Sequence, residues 1–421
     1  MSFTQADQFR FDTVLQPGDR ISFGQACSEP VGLVRALLQQ APGLSAVSER
    51  LRLFVAGSYS GLIQPEHAAC FEFAGYGAFG DAAALAKAGL LALYPVHYSR
   101  LPDLLANELK PDVVLLQVSR PDANGRYSLG AASDYQLATA RRARVVIAEV
   151  NVHTPYLPNA LLPLDVRIDH MVTSDEPLVE GPRSTADAVS DQVANHVAGL
   201  IPHEATLQMG IGNLMDAVCR QLRTHRNLGI HSGVLTDGMA ELMKAGVVTN
   251  ARKGAHVGKS VVGSLLGSRT LFDFADGNPD ILLVETAETH GVASLAQQRR
   301  LCSVNSAVEV DLTGQVNAEV SGGRYIGAVG GQVDFVRAAS CSEGGASIIA
   351  LPSSARSGQL SRIVAELGGP VTTPRSDVDH VVTEWGVAHL RGLSLRQRAQ
   401  ALVGIAHPSH REALQLAASR I

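Results

Sequence analysis

"ATLQMGIGNLMDAV", Ala205 to Val218, passes from an apolar stretch into two glycines and then into a helical pattern. A strand that stops at Gly210 and Gly212 and restarts as a helix is the βα turn of an open α/β fold. Glycines at that point let the backbone bend sharply and approach a ligand closely. Outward from this stretch, short apolar runs alternate with longer helical ones. In the first half "RLRLFVAG", "DVVLLQVS" and "ARVVIAEVN" read as buried strands, separated by the helical "PVGLVRALLQQA", "DAAALAKAGLLAL" and "SDYQLATARRA". In the second half the strands are "ATLQMG", "LGIHSGV", "KSVVGSLLG", "DILLVET", "VNSAVEVDL", "ASIIALP" and "HVVTEWG". This alternation predicts an α/β protein built of βαβ units on mostly parallel sheets.

A chain of 421 residues exceeds what one hydrophobic core normally serves, so two domains are expected. Residues 151–182 hold five prolines and little periodicity, and read as an irregular surface crossing. "STADAVSDQVANHVAGLI" then opens a helix with a Ser/Thr cap, after which the second alternation starts. The boundary falls near residue 190, giving domains 1–190 and 191–421. From Ser394 onward the pattern is two amphipathic helices split at His407-Pro408.

Composition narrows the function. Hydrophobic content of 46% with 18% charged residues suits a packed protein. A net charge of −5 supplies no basic excess to neutralise phosphates, so no nucleic-acid partner is expected. Five widely spaced cysteines, without a CxxC pair, read as reduced thiols. Fourteen histidines show no ligand spacing, and no metal is assigned. The N-terminus lacks a signal pattern and no apolar run reaches membrane-spanning length, so a cytoplasmic protein with no membrane partner is expected.

Several stretches can carry chemistry. Gly210 and Gly212 precede a helix N-terminus that offers amides to an anion, although a tight turn without a ligand explains them equally well. In "GRYIGAVGGQVDFVRAA", Gly327, Gly330 and Gly331 lead into a helix beginning near Gln332. Such a loop suits an oxyanion, and it suits a plain turn as well. Glu72, in "CFEFAGYGAFG", sits among aromatics that favour its neutral form if it is buried, whereas a water-facing strand position is the simpler alternative. Asn305, Glu309 and Asp311 alternate so that they can share one face, and solvated strand positions explain them equally well.

Taken together, "LQVSRPDANGRYSLG", "LQMGIG", "GIHSGVLTDGMAELMKAGVVTN", "VNSAVEVDLTGQVNAE", "GGQVDF" and "VVTEWGVAHLRG" occur in an order that resembles the acetyl-CoA hydrolase/transferase group of class I CoA-transferases. That group includes 4-hydroxybutyrate and acetate CoA-transferases. The resemblance spans almost the whole chain. It implies two open α/β domains of similar fold with the active site between them, in a homodimer or homotetramer. It also implies acyl-CoA and a small carboxylic acid as substrates, with coenzyme A bound as substrate and no permanent cofactor. Gly210, Ile211, Gly212, Asn213, Leu214 and Ala307 would line the CoA site, and Gly330 and Gly331 would belong to the oxyanion loop.

The chemistry implied is a covalent relay. A glutamate attacks the acyl-CoA to give an anhydride, and the released thiolate converts it to a glutamyl-CoA thioester that a second acid opens. Only a carboxylate can exchange in this way. The family pattern H-[ST]-E places that glutamate where this chain has Gly233, although His231, Asp237 and Gly238 still match. In "LLVETAETHGV" the usual Asn-x-Pro is also absent, and Thr289 and His290 stand nearby. Three readings follow. The carboxylate comes from elsewhere, with Glu72 the first choice; or water or a carboxylate substrate attacks the thioester directly, with Asp237 or His231 as base, making the chain a hydrolase or a transferase; or the chain binds acyl-CoA without turnover. A dicarboxylic acceptor would draw on Arg324 or Arg337, which lie near the glycine loop in sequence.

Overall fold

The structure is a computed structural model and describes residues 4–45 and 49–421. It divides into two compact units: Met1–Pro182 with Val261–Thr289, and Arg183–Ser260 with His290–Ile421.

The first unit is built on eight strands: β1 (Thr4–Gln5), β2 (Arg20–Phe23), β3 (Leu51–Phe54), β4 (Phe71–Gly75), β5 (Leu91–Leu93), β6 (Val113–Val118), β7 (Val145–Asn151) and β8 (His170–Ser174). Their order is β1-β8-β7-β6-β2-β3-β4-β5. All neighbours pair in parallel. Every residue of β6 and β7 is buried, as a sheet covered on both faces requires. The helix Val31–Ser45 packs Leu33, Val34 and Leu37 on one face, against Leu53, Phe73, Val113 and Ile147.

Three sequence expectations change here. "DAAALAKAGLLAL" is not one helix. It stops at Lys87, Gly89 turns the chain at φ +71°, and Leu91–Leu93 continues as β5. The leucine and alanine spacing fits a helical period, and the sheet edge overrides it. The proline-rich 151–182 segment contains β8, which pairs with β7. The helix expected at "STADAVSDQV" is Ala188–Leu200, capped by Asp187, which accepts from the Ser190 amide at 2.8 Å.

The single boundary near 190 is also replaced. The first unit ends at Pro182, and Val261–Thr289 returns to it. Bridges Ala132↔Ser264 and Asp134↔Glu285 hold that segment. So do the Leu265 amide on the Ala131 carbonyl at 2.8 Å and a bidentate Arg141–Glu285 pair at 2.8 and 3.0 Å. Strand-like runs such as "KSVVGSLLG" carry no local mark of the sheet they join.

The main sheet of the second unit has six strands: β9 (Thr206–Met209), β10 (Gly229–Ile230), β11 (Leu301–Ser306), β12 (Ala346–Ala350), β13 (His380–Thr383) and β14 (Gly386–His389). They are ordered β10-β9-β11-β12-β13-β14. The set is parallel except for the β13–β14 hairpin. The tail helices Leu395–Ile405 and Arg411–Ala418 pack Leu402, Val403 and Leu414 onto Val381 and Ile349.

Two buried acids in the first unit share one hydroxyl. Ser58 Oγ lies 2.8 Å from Glu29 and 3.2 Å from Asp81, and it has one proton to donate. Burial raises both carboxyls, Glu29 to about 7. Folded Glu29 therefore holds its proton above the ordinary value of 4.5, and the stability this contributes is present below pH 4.5 and lost as pH rises through 7. Glu29→Gln is expected to shrink the fall in urea midpoint between pH 5 and pH 7.5. An unchanged fall contradicts this assignment.

Candidate active site in the second unit

In open α/β sheets ligands gather beyond the C-terminal strand ends, where the strand order reverses. The second unit reverses at β9, since β10 lies on one side of it and β11 on the other. Leu207 pairs with Ile230 and Met209 with Val304, so the three exits lie side by side. Gly210–Gly212 follows β9, His231–Gly233 follows β10, and Ala307 follows β11.

Short contacts hold these exits. The Gly210 amide donates to the Val304 carbonyl at 2.9 Å, and the His231 amide to the Leu207 carbonyl at 3.0 Å. Gln208 and Asn305 exchange side-chain hydrogen bonds at 3.0 and 3.2 Å. Buried Lys253, which sequence reasoning missed, donates to the carbonyls of Ile230 at 2.7 Å and Lys259 at 2.8 Å. Gly212 has φ +102° and open space where a Cβ would stand, and the helix Asn213–Gln221 begins directly after it. Ile211 is exposed, and Asn213 binds the amide and hydroxyl of Thr185. Leu214 is buried.

The second glycine loop reaches the same exits. Gly327 passes so close to Ala318 that a Cβ would lie 2.2 Å from its carbonyl oxygen, and Gly330 has φ +56°. The helix expected near Gln332 runs from Gln332 to Cys341. Gln332 Nε2 donates to the Ser306 carbonyl at 2.9 Å, tying the loop to the end of β11. The first-turn amides of this helix have no partner within it and are suited to an anion.

His290 is the residue whose position sequence spacing does not reveal. A Cβ on Gly233 would lie 2.9 Å from its Cε1 and 3.2 Å from its Nε2. A Cβ on Gly331 would lie 2.5 Å from the same Nε2. The ring also meets Phe335 edge-on, with centroids 4.7 Å apart. Burial, and then the charge of neighbouring His231, push its pKa down to about 3, so the imidazole is uncharged at neutral pH.

The other candidates are placed as follows. His231 is fully buried at the β10 exit. Asp237 opens the helix Asp237–Lys244, which packs closely on the preceding one: a Cβ on Gly238 would lie 2.9 Å from Cys219 Cβ. Asp216, raised first by burial, is raised further by Asp237. Glu72 is in the first unit near the N-terminal end of β4, about half-exposed, and paired with Arg50 and Arg52 at 3.3 Å each. The apolar enclosure expected from "FEF" is absent because Phe71 and Phe73 point to the opposite, buried face. Arg337 is paired with Asp377 at 2.7 Å, and Arg324 lies on an exposed ribbon strand. Asp311 accepts from the amides of Thr313 and Gln315, and Glu309 from Asn317 and the Gly368 amide. They shape turns.

The first unit has its own reversal, between β2 and β6. Just beyond β2, Gln25 Nε2 donates to Asp134 at 2.7 Å, and Tyr76 donates to Gln25 Oε1 at 3.0 Å. Burial raises Asp134 to about 6. Nothing in the spacing of Gln25, Tyr76 and Asp134 signals this cluster.

Among the described residues, no helix is long and apolar enough to cross a membrane. Two family models match: the acetyl-CoA hydrolase/transferase N-terminal domain over residues 11–199 and the C-terminal domain over residues 267–418. A 4-hydroxybutyrate coenzyme A transferase of Clostridium kluyveri is 40% identical over 402 residues, covering 94% of this chain and 92% of that protein. The crystal structure of RipA from Yersinia pestis superposes with a TM-score of 0.92 at 33% identity, over 100% of this chain and 97% of the other. A 4-hydroxybutyrate CoA-transferase from Porphyromonas gingivalis gives 0.82 at 34% identity, over 99% and 97%. With both models matched in order and the relatives covered nearly end to end, this chain belongs to the acetyl-CoA hydrolase/transferase family.

Proposed function

We propose that this chain is an acyl-CoA:carboxylate CoA-transferase acting on a small acyl-CoA, in which the acceptor acid attacks the thioester directly. The observation that carries this reading is the meeting of the Gly210–Gly212 turn, Gly233 and the Gly330–Gly331 loop around the strand-order reversal of one sheet. Gly210 to Leu214 and Ala307 bind coenzyme A as substrate, and the amides of the Gly330–Gly331 loop hold the oxyanion.

Gly233 has no side chain to attack, and an imidazole cannot replace a glutamate in the relay. Acylated imidazole has no carbonyl of its own to carry CoA as a thioester. The balanced alternative is stepwise, with both substrates bound at once. An acceptor carboxylate oxygen adds to the thioester carbonyl, the tetrahedral adduct expels CoA thiolate, and a mixed anhydride of the two acids remains. The thiolate then attacks the acceptor's carbonyl, giving the new CoA ester and the free donor acid. Both acids and CoA occupy the site together. We assign the orientation of the acceptor to His231, at the β10 exit, and to Asp237, which opens the following helix. The assembly that goes with this reading is a homodimer or homotetramer in the cytoplasm.

Acetyl-CoA incubated with succinate is expected to yield succinyl-CoA with intersecting, sequential kinetics. Parallel ping-pong lines, or no new ester with any small acid, count against direct attack.

A further inference from the structure

We propose that Lys253 is a positioning residue for the acyl-CoA exchange: its buried ammonium fixes the last peptide of β10, and with it the exit at His231–Gly233, and lends that exit positive charge. The proposal rests on the acyl-CoA reading above and adds to it a residue outside both glycine loops.

β10 is the edge strand of its sheet. The amides of Gly229 and His231 point to β9, donating to the Ala205 carbonyl at 2.8 Å and the Leu207 carbonyl at 3.0 Å. Alternation along a parallel strand then turns both backbone groups of Ile230 to the outer side. Ile230 is fully buried, so those groups need partners within the protein.

Residues 249–260 supply them. Asn250 Oδ1 accepts from the Ile230 amide at 2.9 Å, and Lys253 Nζ donates to the Ile230 carbonyl at 2.7 Å. Upstream, the amides of Thr249 and Asn250 each reach the Leu228 carbonyl at 3.0 Å. The same segment is tied to itself. Asn250 Nδ2 donates to Ser260 Oγ at 3.0 Å, and Lys253 Nζ to the Lys259 carbonyl at 2.8 Å. Lys253 is 5% exposed and Asn250 3%, so these bonds are shielded from water.

The Ile230 amide is thus held by a neutral side chain and the carbonyl by a charged one. A neutral donor would satisfy that carbonyl at a smaller desolvation cost. What the ammonium adds is charge, placed on the peptide bond that joins Ile230 to His231. The proposed reaction brings an acceptor carboxylate to this exit and releases a CoA thiolate. Both are anions, and a fixed cation in a water-poor interior favours them more than it would in water. Lys253 acts through the peptide that carries His231, not on a substrate atom.

Two variants separate charge from hydrogen bonding and from bulk. Lys253→Gln keeps an N–H donor and loses the charge, and Lys253→Ala opens room for an added amine. In exchange of acetyl-CoA into succinate, Lys253→Gln is expected to lower kcat roughly 10- to 100-fold. Its KM for acetyl-CoA should change by less than about threefold, because the residues assigned to CoA lie elsewhere. In Lys253→Ala, propylammonium is expected to restore kcat in proportion to its concentration, measured against wild type in the same amine, while propanol restores nothing. Hydrogen exchange reads the exit without any turnover. Both variants are expected to lose protection at the amides of residues 229–234, with β12 unchanged.

Wild-type kcat in Lys253→Gln overturns the proposal, and so does equal rescue by propanol and propylammonium. A raised KM with unchanged kcat assigns Lys253 to substrate binding and overturns it as well. If Lys253→Ala does not fold, Lys253→Gln decides by kcat and by hydrogen exchange. Unchanged protection at residues 229–234 in Lys253→Gln overturns the proposal whether or not the chain turns over. Absence of exchange activity in wild type, together with lost protection in the variant, counts against the acyl-CoA reading alone.

Discussion

Gly233→Ala is expected to reduce acyl-CoA turnover by about 100-fold while leaving the protein folded. Gly233 does not lie in the left-handed region, so alanine suits its backbone. The effect comes from space. The new Cβ would stand 2.9 Å from Cε1 of His290, closer than real carbon atoms approach. The ring must shift, and Phe335 and the Gly331 backbone already bound it. The shifted ring presses on the Gly330–Gly331 loop to which the oxyanion is assigned, and a displacement of the order of 1 Å there costs roughly a hundredfold. Gly331→Ala presses on the same nitrogen from the other side and is expected to match it. Paired with His290→Gly, either alanine should add no further loss, because the clash is gone. Full additivity in those double variants would show that the glycines act independently of the imidazole.

The second large effect concerns stability. Gly80→Ala is expected to destabilise the first unit by about 3 to 5 kcal/mol, the sum of backbone strain and overpacking. Gly80 stands at φ +60°, ψ −136°, a conformation nearly confined to glycine. A Cβ there would lie 1.7 Å from the Ser58 carbonyl oxygen, which is backbone and cannot rotate aside. That carbonyl also accepts from the Asp81 amide at 2.7 Å, so moving it disturbs the Glu29–Ser58–Asp81 group. Urea unfolding checks this, and a loss below about 1 kcal/mol would contradict it.

Much of the fold was legible because the deciding signals are local. β6 and β7 announce themselves as unbroken apolar runs, and Gly330-Gly331 before Gln332 marks a helix start that the structure places there. What local pattern misses is contact between distant segments. β5 has three residues and imitates a helix end. The return of Val261–Thr289 to the first unit depends on bridges to Ala132 and Asp134 that no window contains. At the site, Gly233 was readable as an absent side chain, whereas the group that fills its place was not. His290 reaches it through contacts with Gly233 and with Gly331 and Phe335, segments far from one another in sequence. Glu72 attracted attention through its aromatic neighbours, yet alternation along β4 sends those rings inward and leaves the carboxylate with Arg50 and Arg52.

Direct attack on the thioester is tested most plainly by the mass of the intact protein, quenched during turnover of acetyl-CoA with succinate. The expected result is unmodified protein throughout, while free CoA and succinyl-CoA accumulate. Protein carrying covalent CoA would contradict direct attack, and loss of that adduct in Glu72→Ala would assign the relay to Glu72 instead.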